Sequence, residues 1–166
     1  CQVDHGYRDQ SRRRGKLTIM TVEEIKDKLP YDAPFLFVDA LTQVNANGAV
    51  GNYTFHRDAD FYNGHFANFP VTPGVLLTEC CAQIGLVSLG IYLLKDTEST
   101  GMRVALTNSE MEFMHPVFPG ETVQVTSEKV YFRFQKLKCK VKMYNEAQTL
   151  VCRGTLSGML KNTAHG

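Results

Sequence analysis

The chain has 166 residues, 43% of them hydrophobic and 21% charged, which fits one compact domain that buries roughly 70% of its unfolded surface without staples. Its 18 Lys and Arg against 17 Asp and Glu leave a net charge of +1, which excludes a protein devoted to neutralising nucleic-acid phosphates. Five cysteines, at positions 1, 80, 81, 139 and 152 with no C-x-x-C pair, exclude a disulfide framework and a thiolate zinc site and point to a reducing, cytoplasmic compartment.

Residues 1–20 are polar, carry Arg8, Arg12, Arg13, Arg14 and Lys16, and lack the apolar core of a secretory signal. They read as a flexible extension before a single domain over 21–160, with 161–166 as a tail. Thr21 and Glu24 form a T-x-x-E capping box with Met20 and Ile25 as its staple, so a short helix is expected from Val22 to Leu29, ended by Pro30. The apolar run from Phe35 to Val44 reads as a mostly buried strand that stops at the Asn45 to Gly48 turn. Its hairpin partner puts Ala49, Gly51, Tyr53 and Phe55 on one face and Asn52, Thr54 and His56 on the other.

A turn-rich loop over 57–72 feeds the longest apolar segment, Pro73 to Leu94, in which Glu79 is the single charge before Lys95. Thr72 is expected to cap a helix and Pro73 to take its first position. Length alone would allow a membrane span. Glu79 and Gln83 in the first two turns, and amphipathic strands around the segment, favour a buried central helix instead. Strands are then expected over 103–113, 121–134, 136–145 and 149–159, with Pro116, Pro119 and Gly120 at the first junction. In the third, Lys136, Lys138, Lys140 and Lys142 share one face and Leu137, Cys139, Val141 and Met143 the other. Two strands before one long apolar helix and four after it imply an α+β fold in which a curved antiparallel sheet, dry on one side, wraps the helix.

Three features stand out as chemistry. Glu79 is either a buried carboxyl biased towards its acid form, held by Gln83 one turn on along the stripe Leu76, Glu79, Gln83, Leu86, or a carboxylate emerging at the helix edge. His65, in the Asn63-Gly64-His65-Phe66 turn, is either an ordinary loop histidine or a base beside the helix start. The start itself, Thr72-Pro73-Gly74-Val75, offers unpaired N–H groups to a developing oxyanion. His56 reads as solvated, His115 as structural, Asp39 as satisfying backbone donors, and Cys80 and Cys81 as small apolar packing. No His-x-x-x-His and no carboxylate cluster calls for a metal.

The string GHFANFPVTPGVLLTECCAQ, residues 64–83, closely resembles the signature of bacterial 3-hydroxyacyl-(acyl-carrier-protein) dehydratases, hot-dog-fold enzymes of fatty acid synthesis. TVEEIKDKLPYDAPFLFVDAL and FMHPVFPGE extend the resemblance over roughly residues 20–160. It implies a hot-dog fold, His65 as the catalytic histidine, Glu79 as the catalytic acid, and Gly74 as the amide that holds the thioester carbonyl. Gln83 and Phe66 are placed beside the substrate. No cofactor or metal is implied. The implied partners are an acyl carrier protein and a second copy of the chain, because the family pairs the histidine of one protomer with the carboxylate of its neighbour; trimers of dimers are common. Ala67, Thr72, Cys80-Cys81 and Tyr31-Asp32 depart from the usual pattern. A hot-dog thioesterase, an isomerase and a non-catalytic acyl-binding subunit are the alternatives. For the acidic carrier, the Lys136 to Lys142 face is either a docking surface or an ordinary solvated sheet face.

Overall fold

The computed structural model describes residues 19–97 and 102–162; the expected extension up to residue 18 and the end of the tail lie outside them. Helix α1 (Val22–Asp27) begins where the capping box puts it, with Thr21 Oγ1 accepting the Glu24 N–H at 3.2 Å and Glu23 and Glu24 in the first turn, where negative charge suits the helix dipole. Ile25 is fully buried. The helix stops at Asp27, short of the expected Leu29.

Residues 35–39 do not form the expected strand. Only Ala40 onwards does: β1 (Ala40–Asn45) pairs antiparallel with β2 (Gly48–Thr54). Phe35 and Phe37 stay outside the ladder because a side chain of the central helix takes their backbone groups. Gln83 Oε1 accepts the Phe37 N–H at 2.8 Å, and Gln83 Nε2 donates to the Phe35 carbonyl at 2.9 Å. A carboxamide offers the same donor and acceptor pair that a neighbouring strand would. Asp39, expected in a buried strand, is exposed, and its carboxylate accepts the Thr54 N–H at 2.7 Å.

The central helix α2 (Gly74–Leu93) is long and apolar enough to cross a membrane, yet it is the core: every residue from Cys80 to Ile91 is buried. After it come β3 (Met102–Phe113), β4 (Thr122–Arg133), β5 (Lys136–Tyr144) and β6 (Leu150–Asn162). The six strands make one antiparallel sheet in the order β1-β2-β4-β5-β6-β3. It wraps α2, which is the hot-dog arrangement. Leu137, Cys139, Val141 and Met143 line its inner face at 0–1% exposure, while Lys140 and Lys142 face outward, exposed. Lys140 stands opposite Glu128, and Arg153 pairs with Glu112 at 3.4 Å, so the lysine ladder belongs to a mixed-charge outer surface rather than an unbroken basic one.

Helix and sheet meet most closely at Gly85, where a Cβ would lie 2.9 Å from both Ser127 Cβ and Val141 Cγ1. Around it the helix widens into a π segment over Ala82–Val87, with the Ser88 N–H bonded to the Gln83 carbonyl five residues back. Ser127 Oγ donates to the Gly85 carbonyl at 2.9 Å and accepts the Ala49 N–H at 3.0 Å, so a carbonyl turned out of the helix is satisfied by the sheet. The expected stripe Leu76, Glu79, Gln83, Leu86 assumes one α-helical period throughout. The π segment interrupts that period after Cys81, and Leu86 is fully buried against β6, its Cδ2 within 2.9 Å of where a Cβ on Gly158 would sit.

Candidate active site

The 57–72 loop is organised around His65. A short 3-10 helix (Asp60–Asn63) leads to Gly64, and the Phe61 carbonyl accepts the N–H groups of Gly64 and His65 at 3.3 and 3.0 Å. The chain then returns alongside itself, with the Val71 N–H donating to the His65 carbonyl at 3.0 Å. The His65 ring closes the same loop, its Nδ1 lying 2.8 Å from the Val71 carbonyl. A carbonyl only accepts, so Nδ1 carries the proton and a neutral His65 presents Nε2 as a free acceptor. Phe66 stacks on the imidazole with centroids 4.2 Å apart and is itself 56% exposed.

Thr72 does not cap α2. Pro73 occupies the cap position with no side-chain hydrogen bond, while the Thr72 hydroxyl turns inward to the Tyr62 hydroxyl at 2.6 Å and its N–H donates to the Val117 carbonyl at 2.8 Å. An uncapped first turn leaves its N–H groups for another acceptor. Gly74 leads that turn against the Phe113 ring, where a Cβ would come within 3.3 Å. The two residues line a pocket of about 240 Å³ together with Thr72, Leu77 and His115.

Glu79 lies on the second turn, half-buried. Burial raises its pKa, partly offset by the N–H that Gln83 Nε2 donates to its Oε1 at 3.1 Å. Gln83 is 0% exposed, and both amide atoms are taken up by Phe35, Phe37 and Glu79. Gln83 thus holds the Glu79 carboxyl as the helical spacing leads one to expect. Tyr31, which the sequence marks only as a departure from the family pattern, lies in the field of this carboxyl: burial, and next the nearby Glu79, push its phenol up to about 12. Position in the chain gave no sign of that proximity, since 48 residues separate the two. Among the described residues no hydrogen bond joins His65 to Glu79 within the chain.

A cavity of about 750 Å³ beside Leu76, one turn before Glu79, has an aromatic wall of Phe35, Phe37, Tyr53 and Phe61 and a polar rim that includes Lys26, Asp39, His56, Asp58 and Asp60. The remaining candidates are packing or surface. Cys80 and Cys81 are wholly buried, the Cys80 thiol 3.5 Å from the Phe37 carbonyl, and the hydrogen bond with Cys152, then burial, hold the Cys81 thiol well above its ordinary range. His56 and His115 are exposed.

The raised Glu79 pKa carries a pH-dependent stability. A carboxyl whose folded pKa exceeds its unfolded one favours the fold at low pH and loses that contribution as pH rises through the folded pKa. Glu79→Gln, neutral at every pH, is therefore expected to melt at a higher temperature than the parent at pH 8, with the gap closing towards pH 4. Calorimetry across that range checks it, and a gap that widens on acidification would refute the burial argument.

A family model described as the FabA-like domain matches residues 29–152. Two relatives named 3-hydroxyacyl-[acyl-carrier-protein] dehydratase FabZ align over most of the chain. The one from Acinetobacter baylyi is 30% identical over 146 residues, covering 87% of this chain and 90% of its own. The one from Clostridioides difficile is 31% identical over 140 residues, covering 83% and 95%. Among solved structures, the dehydratase heterocomplex ApeI:P from Xenorhabdus doucetiae superposes with a TM-score of 0.69 at 14% identity, over 84% of this chain and 91% of that one. A thioesterase from Haemophilus influenzae gives 0.63 at 13% identity, over 89% and 95%. At such identities the superpositions speak for the fold alone, whereas the model match and the aligned relatives reach from the Leu29-Pro30 turn through the His65 loop and Glu79 to β6: the chain belongs to the FabA-like family.

Proposed function

We propose that this chain catalyses the reversible dehydration of 3-hydroxyacyl thioesters carried on acyl carrier protein, giving trans-2-enoyl thioesters in fatty acid or related acyl-chain synthesis, with no cofactor. His65 Nε2 takes the proton alpha to the thioester. The Gly74 N–H and the positive end of α2 hold the enolate-like oxygen. Glu79, in its acid form, gives its proton to the 3-hydroxyl, the C–O bond breaks, and water leaves as the double bond forms. Phe66 covers the imidazole, and the aromatic wall of the neighbouring cavity, Phe35, Phe37, Tyr53 and Phe61, offers apolar surface to an acyl chain. The observation that carries the reading is the geometry around the start of α2: the Val71 carbonyl holds His65 Nδ1 at 2.8 Å and leaves Nε2 free, and Gln83 holds the Glu79 carboxyl at 3.1 Å, with burial raising the pKa of that carboxyl.

The site is read as shared between two copies of the chain. β3 ends the sheet with an open edge, and its residues from Ala105 to Glu110 are exposed, a row of unpaired backbone groups that a second β3 can satisfy. Phe66, Phe69, Val75 and Phe113 are each at least 50% exposed around the helix start, too much apolar surface in one place for open water. Light scattering is expected to give a dimer, or a hexamer if dimers assemble in threes. Val75→Glu puts a charge into the patch and is expected to weaken association by roughly tenfold or more, with activity falling in parallel at low protein concentration. The four described cysteines are free and buried, in keeping with a reducing cytoplasm.

The deciding assay incubates the protein with 3-hydroxybutyryl and longer thioesters of acyl carrier protein. The expected product is the conjugated enoyl thioester, with the carrier thiol still esterified. Free thiol as the main product would transfer the chain to the thioesterases, a shifted double bond would add isomerisation, and no turnover on any chain length would leave an acyl-binding subunit.

A further inference from the structure

His65 hangs from two anchors, and the residue that follows each anchor is bonded to the other. Its main chain hangs from the Phe61 carbonyl, through its own N–H at 3.0 Å; its ring hangs from the Val71 carbonyl, through Nδ1 at 2.8 Å. The residues that follow, Tyr62 and Thr72, share an O–H···O bond of 2.6 Å between their hydroxyls at 6% and 4% exposure. Thr72 is further tied by its N–H to the Val117 carbonyl at 2.8 Å, which connects the loop to the segment between β3 and β4. We infer that the Tyr62–Thr72 pair is a positioning device for His65, setting the distance between its two anchors and thereby keeping the proton on Nδ1 and the lone pair on Nε2.

The physical case rests on what each bond controls. The Nδ1 to Val71 bond chooses the tautomer, and a carbonyl displaced by a fraction of an ångström no longer makes the choice one-sided. The Val71 carbonyl is joined directly to the Thr72 nitrogen, so fixing Thr72 at both its N–H and its hydroxyl fixes that carbonyl. A buried hydroxyl pair is also directional in a way that apolar side chains of the same volume are not. Neither hydroxyl touches the reacting atoms in this account. Both act through His65, and the inference rests on the reading of His65 as the base.

The test compares Tyr62→Phe and Thr72→Val, which each delete one hydroxyl with little change of shape, with Thr72→Ser, which keeps it. Turnover of a 3-hydroxyacyl thioester is expected to fall about 5- to 30-fold in the first two, with KM changed less than twofold, and to stay within about twofold of the parent in Thr72→Ser. The imidazole ¹⁵N resonances of His65 are expected to report a single Nδ1–H tautomer in the parent and in Thr72→Ser, and a mixture of tautomers in the two deletions. Lower melting temperatures with unchanged kcat and an unchanged tautomer would overturn the inference, leaving the pair as a structural bond only. If Tyr62→Phe does not fold, the contrast between Thr72→Val and Thr72→Ser decides alone. His65→Ala runs alongside: should it keep native turnover, the base reading fails by itself, whereas an inactive His65→Ala beside fully active hydroxyl variants defeats only the positioning role.

Discussion

Mixing two inactive variants is expected to restore activity. His65→Ala removes the base and Glu79→Gln the acid, and each is expected to lower kcat by a factor on the order of 10² to 10⁴, at least about 2.7 kcal/mol of transition-state stabilisation, without unfolding the chain. His65 is half-buried on a loop, and Gln at position 79 keeps an oxygen to accept from Gln83. If each site takes His65 from one chain and Glu79 from another, subunit exchange makes hybrids with one intact site of two. At full exchange half the dimers are hybrids, so roughly a quarter of native turnover returns. Inactivity of the mixture, with exchange proven by mass spectrometry of the hybrids, would place both residues of a site on one chain. Near-native turnover of Glu79→Gln would reduce the carboxyl to a structural feature.

Gln83→Met is expected to be among the most destabilising single changes available in the described core. Met nearly fills the volume, so little cavity forms, but the Phe37 N–H, the Phe35 carbonyl and the Glu79 carboxyl lose their partner together. Each buried backbone group left unpaired costs about 1–3 kcal/mol. The sum over the two backbone groups, about 2–6 kcal/mol, corresponds to a melting point lower by roughly 5–20 °C for a chain of this size. Turnover is expected to fall as well, because the carboxyl loses its anchor. Urea denaturation measures the first effect and steady-state kinetics the second. A loss under about 1 kcal/mol would mean that the 35–37 segment finds water once the amide is gone, and that Gln83 does not organise this edge of the site.

Structure governed by a single local rule is legible in the residues alone. The capping box placed α1, the period-2 alternation of 136–143 separated the core face of β5 from its lysine face, and a long apolar run with one carboxylate identified the central helix as the member the sheet must cover. Strand boundaries in the second half came within three residues of those observed. Local pattern carries this information because burial on one face imposes a period on the sequence itself. A lone carboxyl on an apolar helix marks Glu79 without coordinates, whereas His65 and Gly74 stand out only through the resemblance of residues 64–83 to the dehydratase signature.

Partnerships between distant side chains were not legible, and they decided the rest. Phe35 to Asp39 has the apolarity of a strand, but only the tertiary structure shows Gln83, 46 residues beyond Phe37, answering for its backbone. Thr72 has the chemistry of a helix cap, yet a tyrosine hydroxyl ten residues earlier competes for it at 2.6 Å. The π segment follows from a serine of β4 reaching the Gly85 carbonyl, a demand made by the sheet and invisible in the helix sequence. Tyr31 lies close enough to feel the Glu79 charge across 48 residues of chain. In each case a hydrogen-bonding group has several partners of nearly equal worth within its own neighbourhood of the chain, and the choice among them is made by which one the packed core leaves dry.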